Sequence, residues 1–428
     1  MPVIRVLAAA VVGLAVVATG NGATARSSGA VPVAKARCSA IQNPDGTLLV
    51  VADLPLHGAA EAQALQMSQA IASELEAAGW HAGKYTLAYQ SCDDSTAATG
   101  HWDGATCQAN AAAYAADGAV VGVIGPPNSG CAELELPTLN RAPNGPLAIV
   151  NPANTYTGLT HAGPGTAAGE PARYYPSGKR NYVRLLAPDD LQGAADAMLA
   201  KQLGTSRLFV LDDREQYGVG IATAVATAAK KLGLGVVGFA PYDPSATSYT
   251  SLAARVKASG ANAVFLGGLL GSGGGRLIAD LRAGAPGATL IAPSGFTPVP
   301  AVVSSAGSAA EGLYVSVAGL PVEKLPPAGQ KFAKAFAAQA GAEADPSAAY
   351  AAQAADVLLR AVAASNGTRS GVAAQLAAVK LPRGIIGKVA FDTNGDLEGA
   401  PVSVYRVSHG TAALATVLVP SPSLVATG

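Results

Sequence analysis

Apolar residues along this chain follow two alternating patterns. Short runs rich in Val, Leu and Ile, such as 48–54 (LLVVADL) and 263–267 (AVFLG), are almost continuously apolar. Such runs fit strands of a parallel sheet, which is covered on both faces. Between them lie longer segments whose apolar positions are spaced by a helical turn. Met67, Ile71 and Leu75 recur every four residues within 61–78, and Gly79 follows as a helix terminator. The pattern predicts strands over 48–54, 85–90, 119–125 and 147–150, with helices over 61–78, 102–117 and from Ser129. A Gly/Pro-rich insert occupies 157–178, and the alternation then restarts. It predicts helices over 191–203, 218–232, 251–258 and 276–283, and strands over 207–212, 235–240, 263–267 and 289–292.

Strands alternating with helices imply parallel sheets flanked by helices, and two such series imply two Rossmann-like lobes. The tail adds a strand over 312–317, three helical stretches between Pro327 and Val379, and strands near 388–391 and 402–407. These helices are too few for a third domain, so they are expected to cover the first lobe while the last strands rejoin the second. The expected organisation is an α/β fold with a signal peptide over 1–25, a first lobe from 45–183 plus 318–386, and a second from 184–317 plus 387–420. Several chain crossings between lobes form a multi-strand hinge with a cleft.

The N-terminus changes the picture of where the chain works. Arg5 precedes an apolar run over 6–18, and Ala23-Thr24-Ala25 offers a small-residue cleavage site, with a rival cut after Ala36. That order reads as a secretory signal peptide. The run is shorter than the roughly 20 apolar residues that span a bilayer. The mature protein is therefore expected to be secreted or held at the extracytoplasmic face of the membrane. Lys35-Ala36-Arg37 before Cys38 does not match the small apolar motif of a lipid-anchored cysteine. Lys plus Arg and Asp plus Glu both number 28, so formal net charge is +0, which argues against a nucleic-acid partner.

The chain has four cysteines, Cys38, Cys92, Cys107 and Cys131, and an exported protein is expected to pair them. Three connectivities are possible. Cys92 with Cys107, closing the polar loop between them, and Cys38 with Cys131 is the expected set. There is no CxxC spacing and only five histidines, so no metal or other cofactor is expected.

Several ordered segments resemble the leucine/isoleucine/valine-type solute-binding proteins of ABC importers, of the periplasmic-binding type I fold. They are Gly122 to Ser129 (GVIGPPNS), Val150 to Thr155 (VNPANT) with Leu159-Thr160, Tyr182-Val183-Arg184 before Pro188 to Gly193, Leu211-Asp212-Asp213 with Tyr217 to Gly220, and Phe391 to Asp396. The resemblance implies binding of a small-molecule ligand by a monomer, delivery to ABC importer permease subunits, and no catalysis. It also implies ligand contacts from Asn128, Ser129, Ala153, Asn154 and Thr155 in the first lobe, and from Tyr217, Leu266 and Ser294 in the second, with Phe296 beside Ser294. His57 falls at the position of a family aromatic. Ser129 follows a strand and opens a helix, where free N–H groups and the helix dipole attract a carboxylate.

One departure bears on the ligand. The family's amino-acid binders place an acid after the strand ending near Ala292, and here Pro293-Ser294-Gly295 stands there. Either another acid, such as Asp213 or Glu215, supplies the counter-charge, or the ligand is not a simple amino acid. Two other readings compete: a sensing module that signals through a membrane receptor, and a secreted enzyme on a Rossmann-like scaffold. No Gly-x-Ser-x-Gly elbow stands at a strand–helix junction, and Gly271 to Gly275 lacks the lysine of a phosphate-binding loop.

Overall fold

A computed structural model describes residues 37–58 and 60–425. The expected signal segment and both cleavage sites lie outside the described residues. The first sheet is built from β1 (Leu48–Leu54), β2 (His81–Ala82), β3 (Tyr85–Asp93), β4 (Val120–Ile124), β5 (Ala148–Asn151) and β6 (Tyr182–Arg184). Its helices are α1 (Glu61–Ala77), α2 (Gly104–Ala116) and α3 (Ser129–Asn140). The strand order is β2-β3-β1-β4-β5-β6, parallel except for the edge strand β2. β1 is buried along nearly its whole length, as a central parallel strand requires.

The chain then forms α4 (Asp189–Gln202), β7 (Arg207–Asp212), α5 (Gln216–Lys231), β8 (Gly235–Pro241), α6 (Thr250–Ala258) and β9 (Ala263–Gly267). It continues through α7 (Gly275–Gly284), β10 (Thr289–Ala292), α8 (Val299–Ala306) and β11 (Tyr314–Ala318). Three helices follow: α9 (Pro327–Ala340), α10 (Pro346–Ala364) and α11 (Arg369–Gln375). The end comprises β12 (Leu381–Gly384), β13 (Gly387–Val389), β14 (Val402–Ser408) and β15 (Thr411–Leu418). The second sheet runs β15-β14-β11-β10-β9-β7-β8, with β14 and β15 antiparallel.

The tail helices return to the first sheet, as expected from their number. α10 is buried almost all round and packs on α1, β4 and β5. The strand near 388–391 does not rejoin the second sheet. β13 pairs only with β12 in a two-stranded hairpin, while β14 and β15 alone extend the second sheet. α4 and α5 pack closely because Gly193 has no side chain: a Cβ there would sit 2.7 Å from that of Ala224.

The cysteines pair differently from expectation. The disulfides are Cys38–Cys92 and Cys107–Cys131. The segment before β1 lies antiparallel to β3, with Ser39 N–H donating to the Ser91 carbonyl, which brings Cys38 onto Cys92. Cys107 sits on the face of α2 that packs against α3, where Cys131 lies. Nearness in sequence was the wrong guide, because Cys92 is taken by the segment that runs beside β3, and Cys107 meets α3.

Three chain segments cross between the sheets: after β6, after β11, and from β13 to β14. They are hydrogen-bonded side by side. Arg184 N–H donates to the Gly395 carbonyl, and Gly319 N–H to that of Pro401. At this junction the fully buried Arg184 donates from Nε to Asp396 Oδ1 at 2.6 Å and from Nη1 to the Tyr156 carbonyl at 2.8 Å. His161 lies between two carboxylates, 3.0 Å from Asp396 through Nδ1 and 3.0 Å from Asp190 through Nε2. Burial works against its charge, but the bonds to Asp190 and Asp396 outweigh it and lift its pKa from 6.5 to about 9.

A raised histidine pKa stabilises the fold fully below the unfolded value and loses that contribution as pH rises through the folded value. Stability is therefore expected to fall between about pH 6.5 and 9.5. About a quarter of the His161 side chain is open to solvent (24%), so the loss is expected to be roughly 2 kcal/mol. Urea unfolding across that range checks this, and His161→Gln should flatten the slope. An equal slope in the variant assigns it elsewhere.

Candidate ligand-binding site

Both sheets are wound in two directions. In the first, the chain moves from β1 to β3 on one side and then to β4 on the other. In the second, it moves from β7 to β8 and then back to β9. Adjacent loops at the carboxyl ends of such strands leave in opposite directions and open a crevice. The crevices of the two sheets form one cleft of about 1230 Å³. Loops after β3, β4 and β5 line one wall, loops after β7, β9 and β10 the other, and Leu186, Val317 and Ala318 from the crossings lie at its base.

The turn leaving β4 needs glycine. Gly125 has φ +115°, and a Cβ there would sit 2.3 Å from the Asp53 carbonyl oxygen. The chain then delivers Asn128 and Ser129 to the cleft. Asn128 caps α3, its Oδ1 accepting from Gly130 N–H at 2.8 Å and Cys131 N–H at 3.2 Å. The Ser129 Oγ accepts from Tyr156 N–H at 3.2 Å, which leaves its proton to donate. After β5, Asn151 Oδ1 accepts from the N–H groups of Ala153 and Asn154 at 2.9 and 2.8 Å and holds that turn. Asn154 reaches the cleft wall, but its amide is tied to the Pro126 carbonyl and the Tyr182 hydroxyl. Thr155 lines the cleft with its hydroxyl beside Asp189, whose carboxyl burial lifts to about 7.

On the opposite wall, Tyr217 lines the cleft, and its hydroxyl accepts from Gly295 N–H at 3.0 Å, binding two loops of that wall together. Ser294 also lines it. Its Oγ donates to Gln192 at 2.9 Å and accepts from Ala318 N–H at 2.9 Å, so it braces the base. Leu266 is a correction: it is fully buried in the core of the second sheet and is not part of the cleft. Phe296 is likewise a core residue. His57 also lies off the cleft lining, with Nδ1 2.6 Å from Asp93 Oδ2 and its ring half exposed. Its loop turns outward after β1 and is held there by Asp93 and Ser95.

Trp102 and Glu215 are two of the cleft residues that the motifs did not place. Trp102, from the loop between β3 and α2, packs over Gly130 at the start of α3, and its indole nitrogen is buried without a hydrogen-bond partner among the described residues. The usable signal was a large aromatic inside a polar, glycine-containing loop. Glu215, one of two acids considered for a counter-charge, lines the opposite wall. Burial raises its carboxyl pKa, against which His101, Trp102 and Ser272 pull downward. Asp213 is turned to the backbone instead, accepting from the N–H groups of Glu215 and Leu269 at 3.1 Å each.

A family described as periplasmic binding protein matches residues 55–412. The chain belongs to that family. A Leu/Ile/Val/Thr-binding protein of Salmonella typhimurium is 29% identical over 140 residues, 32% of this chain and 38% of that protein. Among solved structures, a leucine-binding protein LivK of Thermotoga maritima superposes with a TM-score of 0.74 at 21% identity, covering 88% of this chain and 99% of that one. A solute-binding protein of an ABC transporter from Rhodopseudomonas palustris, in complex with p-hydroxybenzoic acid, gives 0.72 at 17% identity over 88% and 98%. At such identities these likenesses establish the type I periplasmic-binding fold. Among the described residues, no helix is long and apolar enough to cross a membrane.

Proposed function

We propose that this protein binds a small solute, an amino acid or a related small polar molecule, in the cleft between its sheets. It delivers the solute to the permease subunits of an ABC importer at the extracytoplasmic face of the membrane. It acts as a monomer and without chemical turnover. The observation that carries this reading is the single cleft walled by the strand-tip loops of two sheets and based on three hydrogen-bonded crossings. The walls act as lobes, 45–183 plus 318–386 and 184–317 plus 387–420. A solute touching both shifts the population toward a closed form.

The Ser129 hydroxyl and Thr155 supply the polar grip on the first wall, and Tyr217 covers the solute from the second. A thermal-shift screen of the ligand-stripped protein against amino acids, amides, amines and small carboxylates tests the reading. A true ligand at a hundred times its dissociation constant stabilises by about 2.7 kcal/mol. With that ligand, Ser129→Ala is expected to weaken binding by roughly 1–3 kcal/mol in calorimetry. Unchanged affinity removes Ser129 from the grip.

A further inference from the structure

The charges of the cleft are one-sided. Glu215, Glu323, Glu343 and Asp345 line it, and among the described residues no lysine or arginine does. Among the described residues, His101 is the remaining titratable group of the lining apart from tyrosines. Glu215 stands where the walls come together. Ser272 Oγ, 3.5 Å from its Oε1, is its neighbour on the same wall, while Trp102 and His101 approach from the other. The Trp102 side chain stands beside this carboxylate, and its indole nitrogen is buried without a hydrogen-bond partner among the described residues. The rings of Tyr217, Tyr350 and Tyr405 also line the cleft. A half-buried carboxylate with a histidine as its basic neighbour and no lysine or arginine ion pair among the described residues is costly, and aromatic faces attract cations. A bound anion would enter a cleft lined by four carboxylates and, among the described residues, no guanidinium.

We infer that the solute carries net positive charge, with an organic ammonium seated between the Glu215 carboxylate on one wall and the Trp102 ring on the other. This rests on the solute-binding reading above and narrows it. Ser294, at the position where the family's amino-acid binders carry an acid, is occupied with Gln192 and Ala318, so the counter-charge comes from a different loop. Because the pair spans both walls, the ammonium also supplies the differential contact that drives closure.

The test uses compounds that share a skeleton and differ in charge: leucinamide, leucine and 4-methylpentanoate, then benzylamine and benzoate. Calorimetry on the mature protein should show leucinamide and benzylamine binding more tightly than their zwitterionic or anionic counterparts. Their affinity should fall as NaCl rises. Glu215→Gln should weaken the two amines about tenfold or more, as loss of a charge partner predicts. Tighter binding of leucine or of either carboxylate, or amine affinity unchanged in Glu215→Gln, overturns the cationic assignment and leaves solute binding standing. Absence of binding by these compounds and by every member of the wider screen overturns both.

Discussion

Asp396→Leu is expected to destabilise the protein by about 3–5 kcal/mol, the range for leaving a buried charge uncompensated. The asymmetry of the pair makes Asp396 the sensitive member. Burial favours its neutral form, but the Arg184 guanidinium and His161 outweigh that and hold it well below the usual carboxylate range. Without Asp396, the guanidinium keeps only neutral acceptors, the Tyr156 carbonyl and the Thr160 hydroxyl, and has no access to water. His161 retains Asp190. If Arg184 is lost instead, Asp396 still has His161, so the damage is smaller. Urea unfolding of both single variants and of Arg184→Met/Asp396→Leu distinguishes these terms. The double variant should regain part of the loss, because the buried charge is gone with its partner.

The same substitution bears on binding. Arg184 belongs to the first crossing and Asp396 to the third, and Asp190 opens the first helix beyond the first crossing. Loosening this junction changes the relative cost of open and closed forms without touching the cleft lining. Solute affinity of Asp396→Leu should therefore change even at temperatures where the variant is fully folded. Equal affinity would mean that the junction does not participate in closure.

Strands covered on both faces were legible because they are nearly continuous in apolar residues, and β1, β7, β9 and β10 fall where the runs lie. That continuity has a cost for site prediction. A run without period says nothing about which face a side chain takes, and this is how Leu266 was placed in a cleft when it lies in the core. Short or partly exposed elements escaped: β15 is Ala- and Thr-rich with most positions partly open to solvent, β6 has three residues, and α8 has eight with a proline in its first turn. Asn128, Ser129 and Thr155 were legible because short polar motifs follow recognisable strands. Their burden of internal hydrogen bonds was not, since Asn151, Pro126 and Tyr182 come from other turns or from tertiary packing. The buried ion pair of Arg184 with Asp396 joins residues 212 positions apart, beyond any local pattern.

Arg369→Ala is the second large effect, expected to cost about 3 kcal/mol or more in unfolding free energy. Arg369 is buried at the start of α11 and makes no ion pair among the described residues; its guanidinium serves backbone carbonyls. Nε donates to Val120 at 2.9 Å, Nη1 to Ala115 at 2.8 Å and Pro143 at 2.9 Å, and Nη2 to Tyr114 at 3.1 Å and to Asp117. Four of these acceptors belong to the end of α2 and the turn into β4, where a helix leaves its last carbonyls without internal donors. A lysine presents a point charge in place of the fork, so Arg369→Lys should recover only part of the loss. This site lies at the amino end of β4, while the cleft opens at its carboxyl end. Arg369→Ala should consequently lower the unfolding midpoint while solute affinity of the folded protein stays unchanged, the opposite signature to Asp396→Leu. A parallel loss of affinity would show that strain at the base of β4 reaches the Ser129 turn.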